Sequence, residues 1–191
     1  MISHKHKCIF VHIRKTGGIS VSSFLKEIDP DAEYAYGPDL HAPLSWYKKA
    51  YGEQIFNNYF KFTFVRNPWD LRVSSYHYGL KQPGRHGRNA RNKTFEQYIR
   101  TYTPYHKAFR GKHQSHFLGN VSEFDFIGRF ENLQDDFDIV CDKIEIPMRK
   151  LPHIHKTDHT PYWDYYTDET RELIAKLYAK DIETFGYKFG E

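Results

Sequence analysis

Cysteine is scarce in this chain, with two in 191 residues, and that scarcity excludes a scaffold built on disulfides. Cys8 and Cys141 both stand among apolar neighbours and read as reduced, buried thiols. Long apolar runs are missing too. None approaches the roughly 20 residues that a membrane span needs, and Met1-Ile2-Ser3-His4-Lys5-His6-Lys7 holds no signal-peptide core, so the expectation is a cytoplasmic protein without a membrane span. No sign of charge dominates: 28 Lys and Arg against 24 Asp and Glu leave a net charge of +4. That balance suits small anionic ligands better than a nucleic-acid partner. What the chain does have is aromatic residues, 17%, within a hydrophobic fraction of 39%. At this length that is enough for the core of a single domain spanning 1–191.

The most telling stretch is Cys8-Ile9-Phe10-Val11-His12-Ile13-Arg14-Lys15-Thr16-Gly17-Gly18-Ile19-Ser20. Its apolar start suits a buried strand, and Val21, Phe24, Leu25 and Ile28 repeat at helical spacing beyond the glycines. A turn between strand and helix that carries a lysine, two hydroxyls and two glycines has the parts of an anion cradle. Glycine lets backbone N–H groups approach a ligand, the helix N-terminus adds partial positive charge, and Lys15 adds a full one. Read alone, the glycine pair also fits a simple tight turn. The nucleotide-binding pattern G-x-x-x-x-G-K-[ST] puts lysine after the glycines, whereas here lysine precedes them, and no acidic strand end stands out to hold magnesium.

A second stretch follows the same logic. Phe60-Lys61-Phe62-Thr63-Phe64-Val65 reads as a strand and runs straight into Arg66-Asn67-Pro68-Trp69-Asp70-Leu71-Arg72-Val73-Ser74-Ser75-Tyr76. Pro68 suits the first turn of a helix and Asn67 its cap. Arg66 then lies at the strand end, where its planar fork can grip a phosphate at two points. Further on, Phe124-Asp125-Phe126-Ile127 reads as a strand, Phe130 to Ile146 as a helix with a stripe of Leu133, Phe137, Val140, Cys141 and Ile144, and the stretch from Asp168 as a helix with a stripe of Leu173, Ile174, Leu177, Tyr178 and Ile182. Strands alternating with helices predict an α/β fold with a central parallel sheet covered by helices, and ligands of such sheets bind beyond the carboxyl ends of the strands.

At these two motifs the chain resembles the sulfotransferases that use 3′-phosphoadenosine 5′-phosphosulfate (PAPS), above all the carbohydrate branch with the heparan 2-O- and 6-O-sulfotransferases. The likeness continues through Leu40-His41-Ala42, through Phe124-Asp125-Phe126-Ile127-Gly128-Arg129-Phe130-Glu131-Asn132-Leu133 and into the closing Phe185-Gly186-Tyr187. It departs at Ile19, where another hydroxyl is common, and at Leu71-Arg72, where the order is reversed. The resemblance implies a three-layer, P-loop-like fold. It also implies that Arg14, Lys15, Thr16, Gly17, Gly18, Ile19 and Ser20 hold the 5′-phosphosulfate, and that Arg66 and Ser74 hold the 3′-phosphate. By the same likeness Lys156, in Leu151-Pro152-His153-Ile154-His155-Lys156-Thr157, is a further donor contact, and His41 is the general base that takes the proton of the attacking hydroxyl. An imidazole with an ordinary pKa of about 6.5 suits that task. Lys15 is expected to neutralise the charge growing on the leaving oxygen. The family works without a metal, and the acceptor it implies is a carbohydrate.

Other features carry less. His4 and His6, His113 and His116, and His153, His155 and His159 are spaced like ligand pairs, yet no cysteine or carboxylate set of known spacing completes them. The basic stretch from Lys81 to Lys93 reads as a loop, either closing over an anionic ligand or merely solvated. Among the aromatics, Trp46 is the first candidate to carry a sugar ring. Two other functions fit parts of the sequence: a P-loop kinase or nucleotide hydrolase, and a noncatalytic module that binds polyanions.

Overall fold

The computed structural model describes residues 1–35, 41–81, 90–108, 113–152, 154 and 160–191. In chain order the elements are β1 (Ile2–Ser3), β2 (Cys8–Val11), α1 (Gly18–Ile28), α2 (Leu44–Asn58), β3 (Phe60–Val65), α3 (Pro68–Lys81), α4 (Phe95–Ala108), α5 (Gln114–Leu118), β4 (Phe126–Arg129), α6 (Leu133–Lys143), α7 (Asp168–Leu177) and α8 (Ala179–Phe185), with 3-10 turns at Val121–Glu123, Phe130–Asn132 and Tyr162–Tyr165. They divide between two units. One comprises residues 1–66 and 114–154, the other residues 67–113 and 155–191.

The first unit contains a four-stranded sheet in the order β1-β2-β3-β4. As expected, β2, β3 and β4 are parallel, with Phe10 opposite Phe62 and Phe62 opposite Phe126. The expectation of an all-parallel sheet fails at one edge: β1 pairs antiparallel with β2. Two residues are too few to show a period in the sequence. Side chains along a strand alternate between faces, and β2 sends its residues to two separate cores. Cys8 and Phe10, with Phe62 and Phe64, pack against Val21, Phe24 and Leu25 of α1 and Phe137, Val140 and Cys141 of α6. Ile9 and Val11 join Leu44, Tyr47 and Phe56 of α2. Helices therefore flank the sheet.

Two boundaries differ from the sequence pattern. The last strand starts at Phe126 rather than Phe124, because Asp125 is turned to Lys61: its carboxylate accepts from the Lys61 amide at 2.7 Å and pairs with the Lys61 ammonium at 2.9 Å. The helix expected from Phe130 to Ile146 opens as a 3-10 turn and stops at Lys143, with Glu145 in the left-handed region at φ 54°.

The second unit packs α3, α4, α7 and α8 around Trp69, Val73, Tyr98, Ile99, Ile174 and Tyr178. Pro68 opens α3 and Asn67 caps it, its Oδ1 accepting from the Trp69 amide at 3.1 Å. A reciprocal box of Thr167 and Thr170 starts α7. The closing stripe is as expected, although the helix breaks at Tyr178 into two pieces. Residues 82–89 of the basic stretch lie outside the described residues. Among the described residues, no helix is long and apolar enough to cross a membrane.

Candidate functional site

Beyond the end of β2 the chain turns sharply into α1. Lys15 sits in the left-handed region at φ 67° and Gly17 at φ 77°. A left-handed conformation is uncommon for a residue with a Cβ, so the turn is held by specific contacts. Thr16, fully buried, donates its hydroxyl to the carbonyl of Ile13 at 2.9 Å, an internal brace of the turn. At Gly17, a Cβ would come within 2.5 Å of Leu133 Cδ2. At Gly18 a Cβ would lie 1.9 Å from Cδ2 and 2.3 Å from Nε2 of His12. The two glycines are thus pressed against side chains on two sides: a side chain at Gly18 would have to displace the His12 ring, and one at Gly17 would have to move Leu133 and hold a left-handed backbone.

Helix α1 begins at Gly18 with no side-chain cap and no acidic residue in its first turn. Its leading amides have no acceptor within the helix, and its dipole leaves partial positive charge there. Ser20, in the same turn, is buried; Ile19 and Lys15 are half-buried, and Arg14 is exposed.

Arg66, one residue past β3, reaches this turn. Its guanidinium lies 3.8 Å from the centre of the Phe130 ring, and Nη1 donates to the Lys15 carbonyl at 3.0 Å. The side chain is only 6% exposed. Gln114 fixes its backbone on both sides, accepting from the Arg66 amide at 2.7 Å and donating to its carbonyl at 2.8 Å. The two cationic motifs, far apart in sequence, therefore meet. Phe130 sits under both of them: its Cδ2 is 3.4 Å from the Cβ position of Gly17.

His41 joins from the start of the α2 segment. Its Nδ1 lies 3.0 Å from the carbonyl oxygen of His12. A carbonyl only accepts, so the contact assigns the proton to Nδ1 and leaves the Nε2 lone pair as acceptor. The His41 and His12 rings meet edge to face at a centroid distance of 4.5 Å. His12 is 3% exposed. Burial first, and then the neighbouring His41, hold its pKa well below the ordinary 6.5, so this ring is neutral.

Lys15, Arg66 and His41 thus belong to the first unit, together with the whole glycine turn. Ser74 belongs to the second unit, buried within α3. Lys156 lies outside the described residues. Trp46 is half-buried, edge-on to Tyr47 and Tyr51 and packed on the α2 core. Sequence reasoning missed three contributors. Gln114 carries no motif signal, while His12 and Phe130 lay inside quoted segments without a role. Among the described residues, no group of three or more His, Cys, Asp or Glu side chains is placed to hold a metal.

Chemically, the first unit offers a helix start without a side-chain cap, a lysine, a forked arginine and a histidine whose Nδ1 is turned to the His12 carbonyl. That set can bind an anion of more than one charge and remove a proton beside it. A family model described as the sulfotransferase family matches residues 1–188. A protein of Archaeoglobus fulgidus, itself described only as uncharacterized, is 31% identical over 96 residues, covering 50% of this chain and 76% of that protein. No solved structure matches.

Proposed function

The chain belongs to the sulfotransferase family, and from this we propose that it moves the sulfuryl group of PAPS onto a hydroxyl of a carbohydrate acceptor. One observation carries the reading: Arg66 donates to the carbonyl of Lys15, so that the two phosphate-binding motifs stand within one hydrogen bond of each other. A donor charged at both its 3′ and 5′ positions needs such a pair. The glycine turn fits the 5′ end because neither glycine puts a side chain beside the start of α1, and the places where a Cβ would sit are taken by Leu133 and His12.

In this reading Arg14, Thr16, Gly17, Gly18, Ile19 and Ser20 frame the phosphosulfate, and Lys15 neutralises the charge that grows on the bridging oxygen. Preorganised donors of this kind are worth about 10²–10³ in rate each. Arg66 holds the 3′-phosphate. The acceptor oxygen forms its bond to sulfur as the bond from sulfur to the 5′-phosphate oxygen breaks, and adenosine 3′,5′-bisphosphate departs. His41 Nε2 takes the acceptor proton, and the His12 carbonyl then faces the Nδ1–H of the resulting imidazolium. The fold belonging to this reading is three-layered and P-loop-like, with the whole chain acting as one sulfotransferase domain. Two free, buried cysteines support a reducing compartment, the cytoplasm.

Incubation with radiolabelled PAPS and a panel of glycans tests donor and acceptor together; transfer of label to a glycan is expected. A thermal-shift comparison of ATP with adenosine 3′,5′-bisphosphate tests the donor alone. Preference for ATP would replace this reading with a kinase or hydrolase. Strongly salt-dependent polyanion binding without turnover would replace it with a binding module.

A further inference from the structure

His12 is not assigned by the family motif as read above, yet it is the side chain that touches both halves of the first unit's chemistry. Its Cδ2–Nε2 edge fills the place that a Cβ at Gly18 would take, at the first residue of α1. Its ring meets His41 edge to face, and its carbonyl faces His41 Nδ1. A second observation is independent of these contacts: Nδ1 of His12 is buried and has no hydrogen-bond partner among the described residues.

A buried nitrogen without a partner costs less as a bare lone pair than as an unmet N–H, since orphaned buried N–H groups are the rarer kind in native proteins. The neutral ring therefore carries its proton on Nε2, the nitrogen at the Gly18 edge. A neutral imidazole with one N–H, set at an uncapped helix start, is a hydrogen-bond donor for an anion. Keeping it uncharged prevents it from competing with Lys15 for the same oxygen or repelling the imidazolium that His41 becomes.

We propose that His12 is a further donor-site residue, whose Nε2–H donates to an oxygen of the donor's 5′-phosphate at the start of α1. This deepens the reading of the chain as PAPS-dependent and rests on it.

Isothermal titration of the full chain with adenosine 3′,5′-bisphosphate and with adenosine 3′-monophosphate separates the two claims. If the wild-type protein does not bind the bisphosphate, the donor assignment fails and the role of His12 fails with it. If it binds, His12→Phe keeps a flat ring against Gly18 and removes both nitrogens. A hydrogen bond to a charged group is worth about ten- to a hundredfold in affinity. The expected loss for the bisphosphate is of that size, while the 3′-monophosphate changes by no more than about twofold. His12→Gln places an amide N–H near Nε2 and recovers part of the loss. Unchanged bisphosphate affinity in His12→Phe, or an equal loss for both nucleotides, overturns the proposal and leaves the donor assignment standing.

Should the variants fail to fold, ¹⁵N NMR of the wild-type imidazole nitrogens decides. The expectation is a proton on Nε2 in the free protein and an Nε2 resonance that moves when the bisphosphate is added. A proton on Nδ1, or an Nε2 resonance indifferent to the bisphosphate, overturns the proposal.

Discussion

Removing the imidazole of His41 tests the base most directly. His41→Ala is expected to bind adenosine 3′,5′-bisphosphate like the wild type while kcat falls by about 10²–10⁴, as read by calorimetry beside a transfer assay. Full activity in that variant would remove His41 as base. Arg66→Lys is not a conservative change, because an ammonium can neither lie flat on Phe130 nor keep the fork that reaches the Lys15 carbonyl. It is expected to weaken bisphosphate binding by about tenfold or more, the scale of a lost charge-assisted bond. Gly18→Ala drives a methyl into the buried His12 ring, so a loss of roughly 1–3 kcal/mol of stability and poorer bisphosphate binding should appear together in melts and titrations. Lys15 and Arg66 were legible in the sequence because their chemistry depends on order along the chain: strand, cation, glycine or proline, helix. His12, Gln114 and Phe130 were not, because their roles come from neighbours 6, 48 and 64 residues away, and no local pattern records such a meeting.

Among the elements, the strands β2 and β3 follow from their apolar runs, the helices α1 and α7 from the stripes that the sequence displays, and α3 from its Asn67–Pro68 start. The short β1 escaped notice, and the true start of β4 is set by the Lys61–Asp125 pair rather than by hydrophobic alternation. The end of α6 likewise depends on one left-handed residue, Glu145, that no propensity signals. Capping is the most local of these effects and the easiest to test. Thr167 accepts from the Thr170 amide at 3.2 Å while its own amide donates back to the Thr170 hydroxyl at 3.0 Å. Thr167→Ala removes the side-chain arm of the box and leaves the arm from its own amide; it is expected to cost about 0.5–2 kcal/mol, visible as a lowered midpoint in urea with an unchanged slope. No change in midpoint would mean that packing of Ile174 and Tyr178 alone sets this helix.

For the whole molecule, the buried titratable groups bound the pH range of stability. His12 has its pKa lowered by folding, so below about 6.5 the unfolded chain takes up a proton that the folded one refuses. Stability should therefore fall as pH drops through that region, by up to about 1.4 kcal/mol per pH unit for one proton. His12→Phe should flatten this acid limb. On the alkaline side burial pushes the Cys8 thiol and the Tyr178 hydroxyl up to about 12. These groups are raised by folding, so their contribution is complete below the unfolded values and is lost as pH climbs past about 9–10. Urea titrations from pH 5 to 11 should trace a dome, and a flat profile would contradict the burial of these groups. The division of the chain into interleaved stretches, with the first unit resuming only at residue 114, also has a consequence on the ribosome. Strand β3 emerges long before β4, and until Phe126–Arg129 leaves the exit tunnel one side of Phe60–Val65 has no neighbour to pair with. The nascent protein is then at its most vulnerable to unwanted strand pairing, and a synthesis pause placed after β3 would lengthen that exposure while one placed after β4 would not.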